Sequence, residues 1–498
     1  MKQKNRVFII GLILIGIILR FLFLSKRSLW ADEFWAVYIG QMSFAHMVNF
    51  ITYHDAHPPL FYEIVHFWLH FGNSAFILRI IPALAGVACI WAAYILGREI
   101  LNEKIGFIFA AIITFNPAHI LWSQIVKSYS LFTFLAIISI YFFFKVLKKR
   151  EKKYWFLLGI INIILLYLHN LGFVIILIET ITVIVLNMFD WEWLYYCVAI
   201  FICYIPWLLH VPHQLHFTLG VVRPFPPYIT MAYSLFYFAL GETVNPFMFY
   251  ITIPAFIILI YLIVKGLIEI KNISIEKRIT LLIGLLSIFP ICFFPSIVPQ
   301  NILPLSIFWY ILISLALFKI SEKSSVLFKS LLSLVILLFL ISDFFLYAGV
   351  HYNDKSKIVP YKQIGRFLTQ NVKPDDIILT TEGILYFHGK QFSPISWYYK
   401  GPAKIIGITD KTSLENLSKK LKKYKKIWVE ANFYGNYVLS KKLKNVLSKH
   451  FKNILDKYYV LNRRWILDNK WIAKKIKERS PKPSYYYLIQ VIEYQHKK

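Results

Sequence analysis

The sequence predicts a polytopic α-helical membrane protein that ends in an α/β domain outside the membrane, and three observations carry that prediction. Of its 498 residues, 58% are hydrophobic and only 16% are charged, with a mean hydropathy of +0.57. That is the composition of a chain whose surroundings are largely hydrocarbon. Before residue 349, about eleven apolar segments approach the roughly 20 residues a helix needs to cross a bilayer core. From Val350 onward these segments stop, and helical and alternating patterns follow one another in a strongly basic tail.

The apolar segments begin near Val7, Phe76, Ile105, Tyr129, Tyr154, Leu171, Leu194, Met248, Ile279, Ile302 and Phe328. The stretch from Pro227 to Leu240 is apolar but too short to cross, so it is expected to be interfacial or re-entrant. The first run, Val7 to Leu24, lacks a small-residue cleavage site and is expected to remain as an anchor. Positive residues in short loops are retained on the cytoplasmic side. This puts Lys2, Lys4 and Arg6 inside, along with Arg98, Lys104, the runs Lys145–Lys153 and Lys265–Arg278, and Lys319, Lys323 and Lys329. Lys26 and Arg27 are the exception. The scheme gives a multi-pass protein of the plasma membrane with a cytoplasmic N-terminus. A transmembrane domain over 1–349, with a first outer loop over 25–75, precedes an extracytoplasmic domain over 350–498. Cys89, Cys197, Cys203 and Cys292 all fall in predicted spans, so no disulfide is expected in the tail.

Between Val350 and Lys498 there are 31 Lys and Arg against 11 Asp and Glu. On an exported domain such a charge points away from nucleic acid and toward anionic lipid headgroups or envelope polymers, or to a plain solvated surface. "YKQIGRFLTQNVKPDDIILTT" reads helix, turn, strand, and "SLENLSKKLKKYKKIWVE" repeats that order, with Leu414, Leu417, Leu421 and Tyr424 on one helical stripe. The chain has no glycine-rich phosphate loop, no metal-type Cys/His spacing and no internal repeat.

Chemistry is therefore sought where polar residues gather at the outer ends of the spans. Asp32 and Glu33 stand side by side among Trp30, Phe34, Trp35 and Tyr38, just past the first span. Paired carboxylates in an aromatic, partly dehydrated setting are candidates for a general base; the plainer alternative is a solvated pair. Further along, His54, Asp55, His57, Pro58 and Pro59 lead into an amphipathic helix, for which a proline pair is a natural start. His57, Arg79 in the second span, Lys127 and Tyr129 at the start of the fourth, and His169 at the end of the fifth could all converge on this loop. Each has a structural alternative: Lys127 snorkelling to headgroups, Tyr129 in the aromatic belt, Arg79 paired with an acidic neighbour. Ionisable groups at membrane depth usually face a cavity, which favours function for Lys127 and His169. His119, His210 and His213 are read as interfacial. A divalent metal is possible at such a site, but no spacing requires one.

"ADEFWAVY", "HDAHPPLFYEIVHFWLHFGNSAFILRIIPALAG", "LWSQIVKSYSLFTFLAIISIYFF", "YLHNLGFVIIL" and "PQNILPLSIFWYILISLAL" together resemble the dolichyl-phosphate-mannose protein mannosyltransferase and aminoarabinose transferase-like glycosyltransferases of the GT-C class. The resemblance covers the membrane region in order, and "YKQIGRFLTQNVKPDDIIL" is similar to the exported α/β domain of many members. It implies a polyprenyl-phosphate-linked sugar donor, a lipid, glycan or protein acceptor, no nucleic acid, and catalysis at the extracytoplasmic face with inversion. Two places depart from the family pattern. Where relatives read Gln-Glu-Ala-Arg, this chain has Gln124, Ile125, Val126 and Lys127, and where an arginine is common it has Gln300 and Asn301. Lys127 keeps the charge without the two-pronged guanidinium.

A lipid phosphate leaves as a stable anion, so one carboxylate is enough to take the acceptor's proton, with cations and donors meeting the charge on phosphate. Asp32 is assigned as that base and Glu33 as its helper. Lys127, Tyr129, His57, Arg79 and His169 are assigned to the donor. A transporter or flippase of lipid-linked sugars is the rival reading, and a wall-binding module on a multi-span anchor is a third. The topology is testable: reporter fusions after Lys149 and Lys277 should score as cytoplasmic and one after Lys357 as extracytoplasmic. A cytoplasmic signal after Lys357 would overturn the orientation.

Overall fold

The structure, a computed structural model, describes residues 3–220, 226–294, 297–349, 359–381, 385–387, 390–409, 412–432, 437–460 and 488–496. Lys2, Lys357 and the first residue of the expected tail domain, Val350, lie outside them. The chain forms two compact units, Met1–Leu24 with Ile39–Tyr347, and Ser25–Tyr38 with Ala348–Lys498.

The first unit is helical throughout, since a segment in hydrocarbon must satisfy its own backbone hydrogen bonds. Each of the eleven apolar segments is a helix. Among the described residues, six helices are long and apolar enough to cross a membrane, or seven if a pair bent by 60° forms one span. The expected spans that fall short include Lys152–Leu168, Gly172–Val185 and Ile275–Ile291, of 17, 14 and 17 residues. The stretch from Pro227 to Leu240 is a separate 14-residue helix with the expected bounds. Large apolar side chains such as Leu14, Ile18, Phe201, Ile257, Leu286 and Phe344 are exposed on the unit's surface, as lipid-facing residues are.

The bent pair, Glu103–Phe115 and Pro117–Ser123, shows how the sequence builds a turn where no water is at hand. Pro117 has no N–H, so the Ile113 carbonyl loses its helical donor. Arg20, fully buried, supplies the replacement: its guanidinium donates to the Ile113 carbonyl at 2.8 Å and to that of Thr114 at 3.2 Å. Asn116 caps the second helix, its side-chain oxygen accepting from the N–H groups of Ala118 and His119 at 3.1 and 3.2 Å. Its amide nitrogen donates to the Phe238 carbonyl at 2.9 Å. Close by, helices Ala75–Ile100 and Glu103–Phe115 cross in backbone contact, and a Cβ on Gly97 would stand 2.8 Å from Gly106 Cα.

In the second unit the strands are β1 (Ile377–Thr380), β2 (Leu385–Phe387), β3 (Lys390–Phe392), β4 (Lys404–Gly407), β5 (Lys426–Asn432), β6 (Phe451–Val460) and β7 (Leu488–His496). Five of them form a mixed sheet in the order β4-β1-β5-β7-β6, with β4, β1 and β5 parallel and β7 antiparallel to both its neighbours. Strand alternation turns Ile377, Leu379, Ile427 and Val429 into one core with Leu421, Leu439, Leu443 and Leu447 of helices Leu414–Leu421 and Tyr437–His450. Leu417 and Tyr424 of the predicted stripe pack against it, while the side chain of Leu414 lies outside those described. On the opposite face Trp428 meets Phe367 of helix Tyr361–Asn371, ring centroids 6.1 Å apart, so helices cover both faces. The helix-turn-strand order read from the sequence is present in both places, and the α/β character holds.

Ser25–Tyr38 is built into this second unit. The Ser28 hydroxyl accepts from the Lys362 N–H at 3.0 Å, and the Leu29 N–H donates to the Tyr398 hydroxyl at 2.8 Å. Phe34 is buried edge-on against Tyr361, Trp397 and Tyr398, with centroids 6.1, 6.2 and 6.1 Å away. That ring is a core residue.

Asn116→Ala should cost about 1–2 kcal/mol, because it removes a cap and leaves buried N–H groups without an acceptor. The check is thermal unfolding of purified protein in detergent, where Asn116→Ser, which retains a capping oxygen without setting a carboxylate against the Phe238 carbonyl, should unfold closer to wild type.

Candidate functional site

In the first unit, three breaks between helices carry the candidate residues. Helix Phe44–His54 ends at Asp55, whose backbone is extended, and helix Leu60–Trp68 begins after Pro58 and Pro59, with Pro59 at its N-cap. Between them, Asp55 Oδ1 accepts from both the His57 N–H, at 2.8 Å, and the His57 Nδ1, at 2.7 Å. This is an Asx-type turn, a short acceptor reaching the backbone two residues on. The Asn170 and Gln214 amides brace the turn by donating to the carbonyls of Ala56 at 2.8 Å and His57 at 2.9 Å. Lys127 follows the bent helix pair and Tyr129 opens helix Tyr129–Lys149. His169 caps the end of helix Lys152–Leu168, and its Nδ1 accepts from the Leu171 N–H at 3.1 Å.

These residues meet. The His57 and His169 rings lie edge to face with centroids 5.0 Å apart, and Tyr129 lies 6.5 Å from the first and 5.9 Å from the second. Phe132 stacks flat on His169 at 4.9 Å, and Trp122 backs Tyr129 at 4.6 Å. The Asn301 amide donates to the Tyr129 hydroxyl at 3.3 Å. Lys127 is only 6% exposed, and among the described residues its ammonium has no hydrogen-bond or ion-pair partner. It acts electrostatically on His169, as do His57 and Asp55.

The hydrogen bonds assign the tautomers of the two imidazoles. His169 accepts at Nδ1, so its proton sits on Nε2, which is buried without a partner. His57 donates at Nδ1 to Asp55, which leaves Nε2 for whatever enters the site. A small apolar cleft lined by Phe132, Leu171, Ile175, Ile291, Asn301 and Leu305 adjoins the cluster through Phe132, Leu171 and Asn301. The arrangement offers a buried cation and an unused N–H donor at the edge of an apolar slot, which suits an anion carried on a hydrocarbon chain. Among the described residues, no group of three or more His, Cys, Asp or Glu stands in a metal-binding arrangement.

Three other candidates are placed differently. Arg79 is buried and donates to the Leu24 carbonyl at 2.8 Å, closing the backbone just beyond the first helix. Asp32 and Glu33 belong to the second unit, in the first turn of the ten-residue helix Ala31–Gly40. Glu33 is fully buried and its carboxylate reaches back to the Trp30 N–H at 3.1 Å, half of a capping box. Asp32, one position earlier, is partly exposed. Both carboxylates also sit favourably against the helix dipole.

The sequence reading passed over Asp55 and Asn301 as working members of the cluster. For Asp55 the signal is present in "DAH", an acidic acceptor two residues before a histidine. For Asn301 it is absent, because its bond to Tyr129 joins residues 172 apart.

Residues 56–210 match the family profile described as dolichyl-phosphate-mannose-protein mannosyltransferase. That segment holds His57, Lys127, Tyr129 and His169. No curated protein matches the chain. Among solved structures, ArnT from Cupriavidus metallidurans in the apo state superposes with a TM-score of 0.62 over 98% of each chain at 12% identity. The same protein bound to undecaprenyl phosphate gives 0.59 over 97% of each chain, also at 12% identity. The Archaeoglobus fulgidus oligosaccharyltransferase in the apo form gives 0.55 at 12% identity, over 94% of this chain and 76% of that one. The resemblance read from the sequence holds: this is a multi-pass membrane protein with the fold of the GT-C glycosyltransferases.

Proposed function

We propose that the chain is an inverting glycosyltransferase that moves a sugar from a polyprenyl-phosphate donor to an envelope lipid, glycan or protein at the extracytoplasmic face of the plasma membrane. The observation that carries this reading is that buried Lys127 and the buried His169 Nε2, which has no hydrogen-bond partner among the described residues, share one cluster with an apolar cleft that Phe132 and Leu171 line. A buried cation without a counterion is costly, and an anionic ligand relieves that cost. Undecaprenyl phosphate, the lipid in the ArnT structure, has that chemistry: a phosphate on a long apolar chain.

In this reading Lys127, His169 and His57 face the phosphate, and Tyr129, held by Asn301, completes the polar wall. As the glycosidic carbon–oxygen bond breaks, its electron pair goes to the phosphate oxygen. The cation and N–H donors stabilise that growing charge without proton transfer to the leaving group. The acceptor hydroxyl attacks the anomeric carbon from the opposite side and loses its proton to the Asp32 carboxylate. Glu33 holds the turn that carries Asp32 through its bond to Trp30. Arg79, assigned to the donor from the sequence, also supports the chain at Leu24 by donating to its carbonyl.

Lys127→Ala should lower sugar transfer by about 10²–10³-fold, the usual cost of one donor to a developing anion in a dry site. Lys127→Arg should retain most of it, and near-native turnover in the alanine variant would show that Lys127 only snorkels. Asp32→Asn keeps the side chain's shape but cannot accept a proton. Transfer of labelled sugar should fall by about 10²–10⁴-fold while lipid-phosphate binding stays intact. Wild-type transfer by this variant would remove Asp32 as the base, and a lipid-linked sugar flippase would be unaffected by the change.

A further inference from the structure

The turn before His57 does more than change the chain's direction. Asp55 is 5% exposed, and one of its oxygens holds both the backbone N–H and the ring Nδ1 of the same residue. With two bonds to one acceptor the imidazole can neither rotate nor change tautomer, and the Nδ1 proton stays turned toward Asp55. Nε2 then carries a lone pair whenever His57 is neutral, and repels an anion. It attracts one only after taking up a second proton. His169 is set the other way, with its Nε2–H already in place as a donor. Neighbouring rings thus offer an anion one permanent donor and one conditional donor.

We infer that Asp55 is a positioning residue that makes binding of a lipid phosphate at His57 proton-coupled: the phosphate enters as the His57 Nε2 takes a proton from solvent, and Asp55 stabilises the resulting imidazolium. This rests on the functional reading above. Among the described contacts of His57, the charged or titratable groups are Asp55 on its own turn, Tyr129 on the helix it opens, and His169 at the end of another, and Lys127 acts electrostatically on His169. Asp55 is the only carboxylate among them. Its negative charge, 2.7 Å from the His57 Nδ1, favours a cation on that ring.

Isothermal titration of the full-length protein in detergent with a polyprenyl monophosphate tests this, at pH 8 in two buffers of different ionisation enthalpy. Proton-coupled binding predicts that wild type takes up close to one proton per lipid bound. The His57→Asn variant should bind more weakly with that uptake gone. Asp55→Asn should bind roughly tenfold more weakly in the wild-type background and cause no further loss in the His57→Asn background. An equal loss in both backgrounds would make Asp55 a loop-holding residue only and overturn the inference. Binding by wild type without proton uptake would overturn it as well, leaving the donor reading intact. No binding of any polyprenyl phosphate would remove the donor reading and the coupling together.

Discussion

The break at Asn116 and Pro117 is the constraint on which the rest of the first unit depends. A helix that stops inside an apolar bundle strands carbonyls at one end and N–H groups at the next, and no water is there to take them. Arg20 reaches across from the first helix to the Ile113 and Thr114 carbonyls, while Asn116 receives the N–H groups of Ala118 and His119. Because those partners are fixed, the 60° bend is fixed. The chain beyond it then delivers Trp122, Lys127 and Tyr129 to one place. Buried Arg20 on the first helix thus helps set the position of buried Lys127.

That position makes chemical sense of two unequal histidines and a lysine. Lys127 supplies a buried amine, and His169 supplies an Nε2–H that has no hydrogen-bond partner among the described residues. Tyr129 and Asn301 define the wall, and the cleft beside Phe132 and Leu171 is apolar. Phosphate recognition on an apolar carrier needs these two features side by side, and a headgroup held at membrane depth needs them at the ends of helices. The second unit contributes a different resource, a sheet covered on both faces and a short helix bearing Asp32 and Glu33.

Much of the helical architecture was legible because hydrocarbon imposes one rule on every span. The apolar segments from Val7 to Phe328 are helices, and Pro227–Leu240 appears with the bounds its composition implied. Helix–strand order in the tail was legible from periodicity around Leu417, Leu421 and Tyr424. Pairings between distant residues were not. Nothing local in "SLWADEF" says that Leu29 bonds Tyr398 or that Phe34 packs on Tyr361, so a stretch that reads as interfacial loop is part of a core. Likewise Arg79 is an ionisable residue at membrane depth by pattern, and only geometry reveals the Leu24 carbonyl as its partner. At the site, residue types identified His57, Lys127, Tyr129 and His169 as a group, whereas tautomers and unused donors exist only in three dimensions.

The central claim is that a lipid phosphate sits against Lys127, His57 and His169. It is tested most directly by photolabelling in membranes with a polyprenyl phosphate that carries a photoreactive group at the phosphate, followed by peptide mapping. Adducts concentrated in residues 55–60, 122–132 and 169–171, and displaced by excess unlabelled lipid phosphate, are the predicted result. Displaceable adducts confined to the sheet of the second unit or to the basic run at Lys145–Lys153, with none at those three segments, would contradict it.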